Sequence, residues 1–125
     1  MKTSTDYFGA GEGDELIAEI FKEFREGLPE RVDTIRSSLE ALADGYDAEA
    51  AELFYRTAHT LKGTAPSFGA DGLVAPSAVL AEIGKRWYES GELDAKSATV
   101  ALEEVEQLSI AVQEYITEME GKAAG

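Results

Sequence analysis

The single histidine of this 125-residue chain, His59, stands in the run Ala58-His59-Thr60-Leu61-Lys62-Gly63-Thr64-Ala65-Pro66-Ser67-Phe68-Gly69. An imidazole combines nucleophilicity with a substantial deprotonated fraction near neutral pH. Lys62 at i+3 and Arg56 at i−3 lie beside the ring if the segment is helical. Such cations stabilise a group carrying close to two negative charges by charge-assisted hydrogen bonds, each about 1.5–3 kcal/mol. Gly63 at i+4 costs about 1 kcal/mol relative to alanine inside a helix. In return it leaves clearance for another protein's active site to come against the imidazole. The chemistry these residues fit is attachment of a phosphoryl group to His59.

Other uses of a lone histidine fit less well. A metal site would need carboxylates as its remaining ligands, next to two cations that repel the ion. A hydrolase triad lacks a nucleophile-elbow pattern, and a small helical domain has no obvious oxyanion hole. A core histidine is tested by the helical wheel. At about 100° per residue, Phe54, Ala58, Leu61 and Ala65 fall within roughly 60° of one another, and His59 lies roughly 120° or more away. It shares its strip with Glu52, Tyr55, Arg56, Lys62 and Gly63, and is therefore expected at the surface.

The elements that must position this strip are all helical. Apolar residues recur at helical spacing, with little of the alternation that marks strands. A glycine-bearing lead-in over residues 1–13, with Asp14 as N-cap, is expected to precede a short first helix from about Glu15 to Glu26. This helix carries Leu16, Ile17, Ile20, Phe21 and Phe24 on one face. Gly27-Leu28-Pro29 then interrupts the pattern, and a second helix with Pro29 in its first turn aligns Leu28, Val32, Ile35, Leu39 and Leu42. A third helix runs from about Asp47 through His59 to near Ala65, where Pro66 stops it. A fourth buries Leu73, Leu80, Ile83 and Trp87, and either kinks at Pro76 or begins there. The last, from about Asp94 or Ala95, aligns Ala98, Leu102, Val105, Leu108, Val112, Tyr115, Ile116 and Met119, with residues 121–125 fraying. The expected architecture is an all-α, antiparallel four-helix bundle over residues 14–120 with an additional short N-terminal helix.

Composition bounds the partners. Eleven basic against 25 acidic residues give a net charge of −14, which disfavours nucleic acid and anionic membrane surfaces. The absence of cysteine excludes disulfides and thiolate chemistry. No apolar run approaches the roughly 20 residues of a membrane span, and the N-terminus does not read as a secretory signal. A monomeric, cytoplasmic, single-domain protein is expected.

The segment His59-Thr60-Leu61-Lys62-Gly63, followed by Phe68-Gly69 and Leu73, resembles the histidine-containing phosphotransfer domains of two-component phosphorelays, including those at the N-termini of chemotaxis-type histidine kinases. The resemblance implies His59 as phosphoacceptor and Lys62 as phosphoryl stabiliser. Gly63, Arg56, Tyr55 and Glu82 then belong to the docking surface. It implies a response-regulator receiver domain and a sensor or hybrid histidine kinase as partners, with no ATP site or cofactor on this chain and magnesium on the receiver. Many such domains hold the imidazole Nδ1 with a carboxylate or carboxamide from the next helix. Here Ala81 stands at that position, which leaves Glu82, Ser77 or water to orient the ring. Lys85 and Arg86 lie farther along the same helix, as extensions of the basic patch or as ordinary surface charge. The alternative reading is an acidic helical adaptor that binds a receiver or kinase without being phosphorylated.

Overall fold

The structure, a computed structural model, describes residues 10–124. Four helices make up the bundle: α1 (Ala10–Asp44), α2 (Ala48–Thr64), α3 (Val74–Ser90) and α4 (Ala95–Ala124). Two 3₁₀ turns, Ala65–Phe68 and Asp71–Leu73, join α2 to α3. Among the described residues there is no strand, and no helix is long and apolar enough to cross a membrane.

The expected break at Gly27-Leu28-Pro29 does not occur. The two predicted N-terminal helices are one 35-residue helix with Pro29 inside it, so there is no separate short first helix. A proline in a helix interior costs about 3 kcal/mol. That cost is offset because Phe24, Leu28 and Val32 all enter the core in a single helical phase, at 9%, 0% and 5% exposure, and each fully buried side chain of this kind contributes about 1.5–3 kcal/mol. Asp14 lies within α1 and is not a cap, and residues 10–13, expected in the lead-in, are already helical. The rest of the lead-in, residues 1–9, lies outside the described residues. At the other end α4 continues through Gly121 to Ala124.

The stripe Leu28, Val32, Ile35, Leu39 and Leu42 is buried throughout, against Phe54, Ala58 and Leu61 of α2, Leu80, Ile83 and Trp87 of α3, and Ala101, Val105, Leu108, Val112 and Tyr115 of α4. Leu102, expected on the inward stripe, is exposed, because α4 turns the Ala101–Val105–Leu108–Val112 phase inward instead. So are Leu16, Ile17 and Ile20, which are 57%, 57% and 44% exposed. Helix α1 runs on beyond the level of Phe24, where the α2–α3 connection closes the core: Phe68 stacks on Phe24 at 4.1 Å and meets Phe21 edge-on at 5.1 Å. Past that level, Met119 and Lys122 of α4 border one side of the extension.

Caps fix the helix ends. Asp47 accepts a hydrogen bond from the Glu49 N–H at 3.1 Å, as an N-cap of α2. Pro76 sits in the first turn of α3, where its missing N–H has no helical partner to lose. Gly69 and Gly91 adopt φ of 68° and 74°, the left-handed conformation that ends a helical segment most easily with glycine. The α3–α4 turn is then locked by Asp94, whose Oδ1 accepts from Trp87 Nε1 at 3.2 Å and whose Oδ2 accepts from the Ser97 N–H at 2.8 Å.

The hydrogen bonds from Ser97, and then from Trp87, pull the Asp94 pKa down to about 2. A depressed folded-state pKa stabilises the fold at pH values above the unfolded value of about 3.9, and that stabilisation is lost as pH falls through about 2. Asp94→Ala is therefore expected to melt at a lower temperature than the parent at pH 7, with the difference narrowing as the pH approaches 2. Thermal unfolding across that range checks both.

Candidate functional site

His59 lies in the C-terminal half of α2 with Ala58 and Leu61 fully buried beneath it, and its own side chain is exposed. It borders an open cleft of about 300 Å³ between α2 and α3. One wall is Tyr55, His59 and Lys62, at positions i, i+4 and i+7 of α2. The other is Ala78, Ala81, Glu82 and Lys85 of α3, again a single helical face.

The two walls are held close by a missing side chain. Helices α2 and α3 make the most extensive interhelical contact of the fold, and at its centre Gly84 is buried. A β-carbon on Gly84 would stand 2.8 Å from Phe54 Cδ1, 2.9 Å from Tyr55 Cα and 3.0 Å from Tyr55 Cβ. Glycine is thus required for the approach of α3 to the backbone of α2, one turn before His59. Gly63 is the opposite case: a β-carbon there would meet nothing within 4 Å. The space beside it is open to solvent, as the clearance argument expects.

Of the residues singled out in the sequence, Tyr55, His59, Lys62 and Glu82 share the cleft. Arg56 does not line it: its Nε pairs with Glu52 Oε1 at 3.5 Å, one turn back on α2. The second cation of the cleft is Lys85. Its signal in the sequence was its place one turn after Ala81 and Glu82, but only the packing of α3 shows which partner that face meets. Ser77 is fully buried, and its Oγ has no hydrogen-bond partner, so it is not a cleft residue.

A row of aromatic side chains runs along α2 and α3 beside the cleft. The Tyr55 ring lies 5.8 Å from the His59 ring and 6.4 Å, nearly parallel, from the Tyr88 ring. The Tyr88 hydroxyl donates to Glu52 Oε2 at 2.9 Å. That bond and the carboxylate charge of Glu52 raise the Tyr88 pKa above its usual value. Glu52 thereby holds Tyr88 with one oxygen and Arg56 with the other.

An exposed imidazole thus shares a cleft with two lysines, on a helix packed closely against a second helix. A model of the Hpt domain family matches residues 19–123, a span that reaches into all four helices. The chain belongs to that family. Hpt domains are histidine phosphotransfer domains of phosphorelays: phosphocarriers without an ATP site of their own, which interact with kinases and response-regulator receivers. No curated protein and no solved structure gives a significant match to the chain.

The two glycines should respond oppositely to the same change. Gly84→Ala is expected to lose stability on the order of 1 kcal/mol or more, because overpacking of about 1–3 kcal/mol outweighs the gain in helix propensity of about 1. Gly63→Ala should be neutral or gain up to about 1 kcal/mol. Urea unfolding of the two variants measures both signs.

Proposed function

We propose that this protein is a histidine phosphotransfer intermediate that carries a phosphoryl group on His59 and exchanges it with the aspartate of a response-regulator receiver. The observation that carries this reading is the open cleft that His59 lines together with Lys62 and Lys85, on a chain of net charge −14. In the forward step the Nε2 lone pair of neutral His59 attacks phosphorus in line. The N–P bond forms as the P–O bond to the aspartate breaks, the aspartate leaves as a carboxylate, and Nδ1 keeps its proton. Return to another receiver reverses the step. Lys62 and Lys85 stabilise the phosphoryl oxygens from the two walls, Gly63 gives the receiver its approach, and Tyr55, Glu82 and Arg56 form its docking surface. The receiver supplies the aspartate and its magnesium ion, so the chain needs no cofactor. One copy suffices, because both walls come from one chain, and the setting is the cytoplasm, where sensor and hybrid kinases feed such relays.

The test is transfer from a phosphorylated receiver. The chain should acquire label that is lost in acid and kept in base, and His59→Gln should acquire none; equal labelling of both proteins would sink the idea. Lys62→Ala and Lys85→Ala should each slow transfer about three- to tenfold, below the full strength of a charge-assisted hydrogen bond because both side chains are solvated. Gly63→Ala, though stable, should raise the receiver concentration needed for half-maximal transfer.

One observation favours a second reading, an adaptor that binds a receiver or kinase without carrying phosphate: the exposed Leu16, Ile17 and Ile20 face of α1. It would prevail if His59→Gln left signalling intact while serine at those three positions abolished it.

A further inference from the structure

The imidazole of His59 has no hydrogen bond from any described residue. On the opposite wall α3 offers the methyl groups of Ala78 and Ala81, which neither donate nor accept, and Glu82 and Lys85, which share the cleft, make no hydrogen bond to the ring. A ring in that setting is free to change rotamer, unless something else holds it. The aromatic neighbour at 5.8 Å, tilted by 50°, is Tyr55.

Tyr55 is itself held at its root and at its ring. Its root is pressed by the backbone of α3, since the absent β-carbon of Gly84 would lie 2.9–3.0 Å from its Cα and Cβ. Its ring is covered by Tyr88 at 6.4 Å and 25°. Tyr88 is tied back to α2 through its bond to Glu52 at 2.9 Å. The tyrosine is half-buried while the histidine beside it is exposed. A braced aromatic face beside an unbonded ring excludes part of that ring's rotamer space by contact alone.

We infer that Tyr55 is the positioning residue for the His59 imidazole, acting as a steric and aromatic wall that keeps Nε2 directed out of the cleft, with Tyr88 and Glu52 as the brace behind it. This rests on His59 being the phosphoacceptor. It changes the part given to Tyr55, from a contact for the receiver to a constraint on the nucleophile. The two parts separate kinetically. A docking contact sets how much receiver is needed, whereas a positioning residue sets how fast the bound pair reacts. Loss of orientation at one χ1 and one χ2 opens a handful of staggered or two-fold states, which corresponds to a fall of about three- to tenfold in the reactive fraction.

The experiment has two arms on the full chain. In the first, NMR three-bond couplings to His59 Cγ report the χ1 populations of the unphosphorylated protein. One rotamer should dominate in the parent and in Tyr55→Phe, averaging should appear in Tyr55→Leu, and Tyr88→Phe, which loses only the bond to Glu52, should fall between. Averaged couplings in the parent, or unchanged couplings in Tyr55→Leu, would overturn the inference. In the second, transfer from a phosphorylated receiver is measured against receiver concentration. Tyr55→Leu should lower the maximal rate about three- to tenfold with the half-saturating concentration unchanged, and Tyr55→Phe should restore it. A change confined to the half-saturating concentration would return Tyr55 to the docking surface. If the parent takes no label at all, the phosphotransfer reading fails, and the couplings still decide whether Tyr55 holds the ring.

Discussion

The closeness of α2 and α3 at Gly84 governs the whole His59 face. Helices normally keep their axes 8–10 Å apart according to the side chains between them, and here one helix meets the other with no side chain at the crossing point. Phe54 fills the core side of that crossing against Trp87, ring to ring at 5.4 Å, while Tyr55 closes its outer side. Above it Lys62 and Lys85, from different helices, border the same cleft. A larger residue at position 84 would move the second lysine and the aromatic row together, so the electrostatics of the site and the orientation of its imidazole share one steric cause.

The far end of the bundle serves the same end by different means. Trp87 is one turn from Gly84 on α3, and its carbonyl accepts from Gly91 N–H at 2.8 Å and from the Tyr46 hydroxyl at 3.1 Å. Its indole is bound by Asp94. These contacts fix the C-terminal end of α3 against both the α1–α2 turn and α4. At the other end Tyr115 of α4 donates to the Phe68 carbonyl at 2.7 Å, which ties down the α2–α3 connection. Helix α3 is therefore held at both ends and pressed at its middle, and the wall it gives to the cleft has little freedom to slide.

What the sequence disclosed follows from what is local. The phase of α2 is a short-range property, so the wheel that buried Phe54, Ala58 and Leu61 and exposed His59 needed no tertiary information. The stripe from Leu28 to Leu42 was legible for the same reason, as were the start of α2 near Asp47 and its stop before Pro66. The misreadings all lie where packing overrode a local signal. Pro29 reads as a breaker until Phe24 and Leu28 are seen to enter one core. Leu16, Ile17 and Ile20 read as core until α2 and α3 are seen to end beneath them. Arg56 and Lys62 look alike from His59, at i−3 and i+3, and differ only because Glu52 is placed to bind one of them. Lys85 belongs to the cleft through the interhelical approach at Gly84, which composition and spacing do not encode.

The cleft has one imidazole and opens on one face of one helix pair. On the reading proposed here, whichever protein delivers the phosphoryl group must occupy the approach that the next recipient needs. Donor and recipient cannot be bound together, so the relay through this chain is a ping-pong exchange with no ternary complex. Neither partner can then tune the other by direct contact. The information passed between them is a single quantity, the fraction of His59 that is charged at a given moment, and partners that share the face compete for it in proportion to their own abundance and affinity.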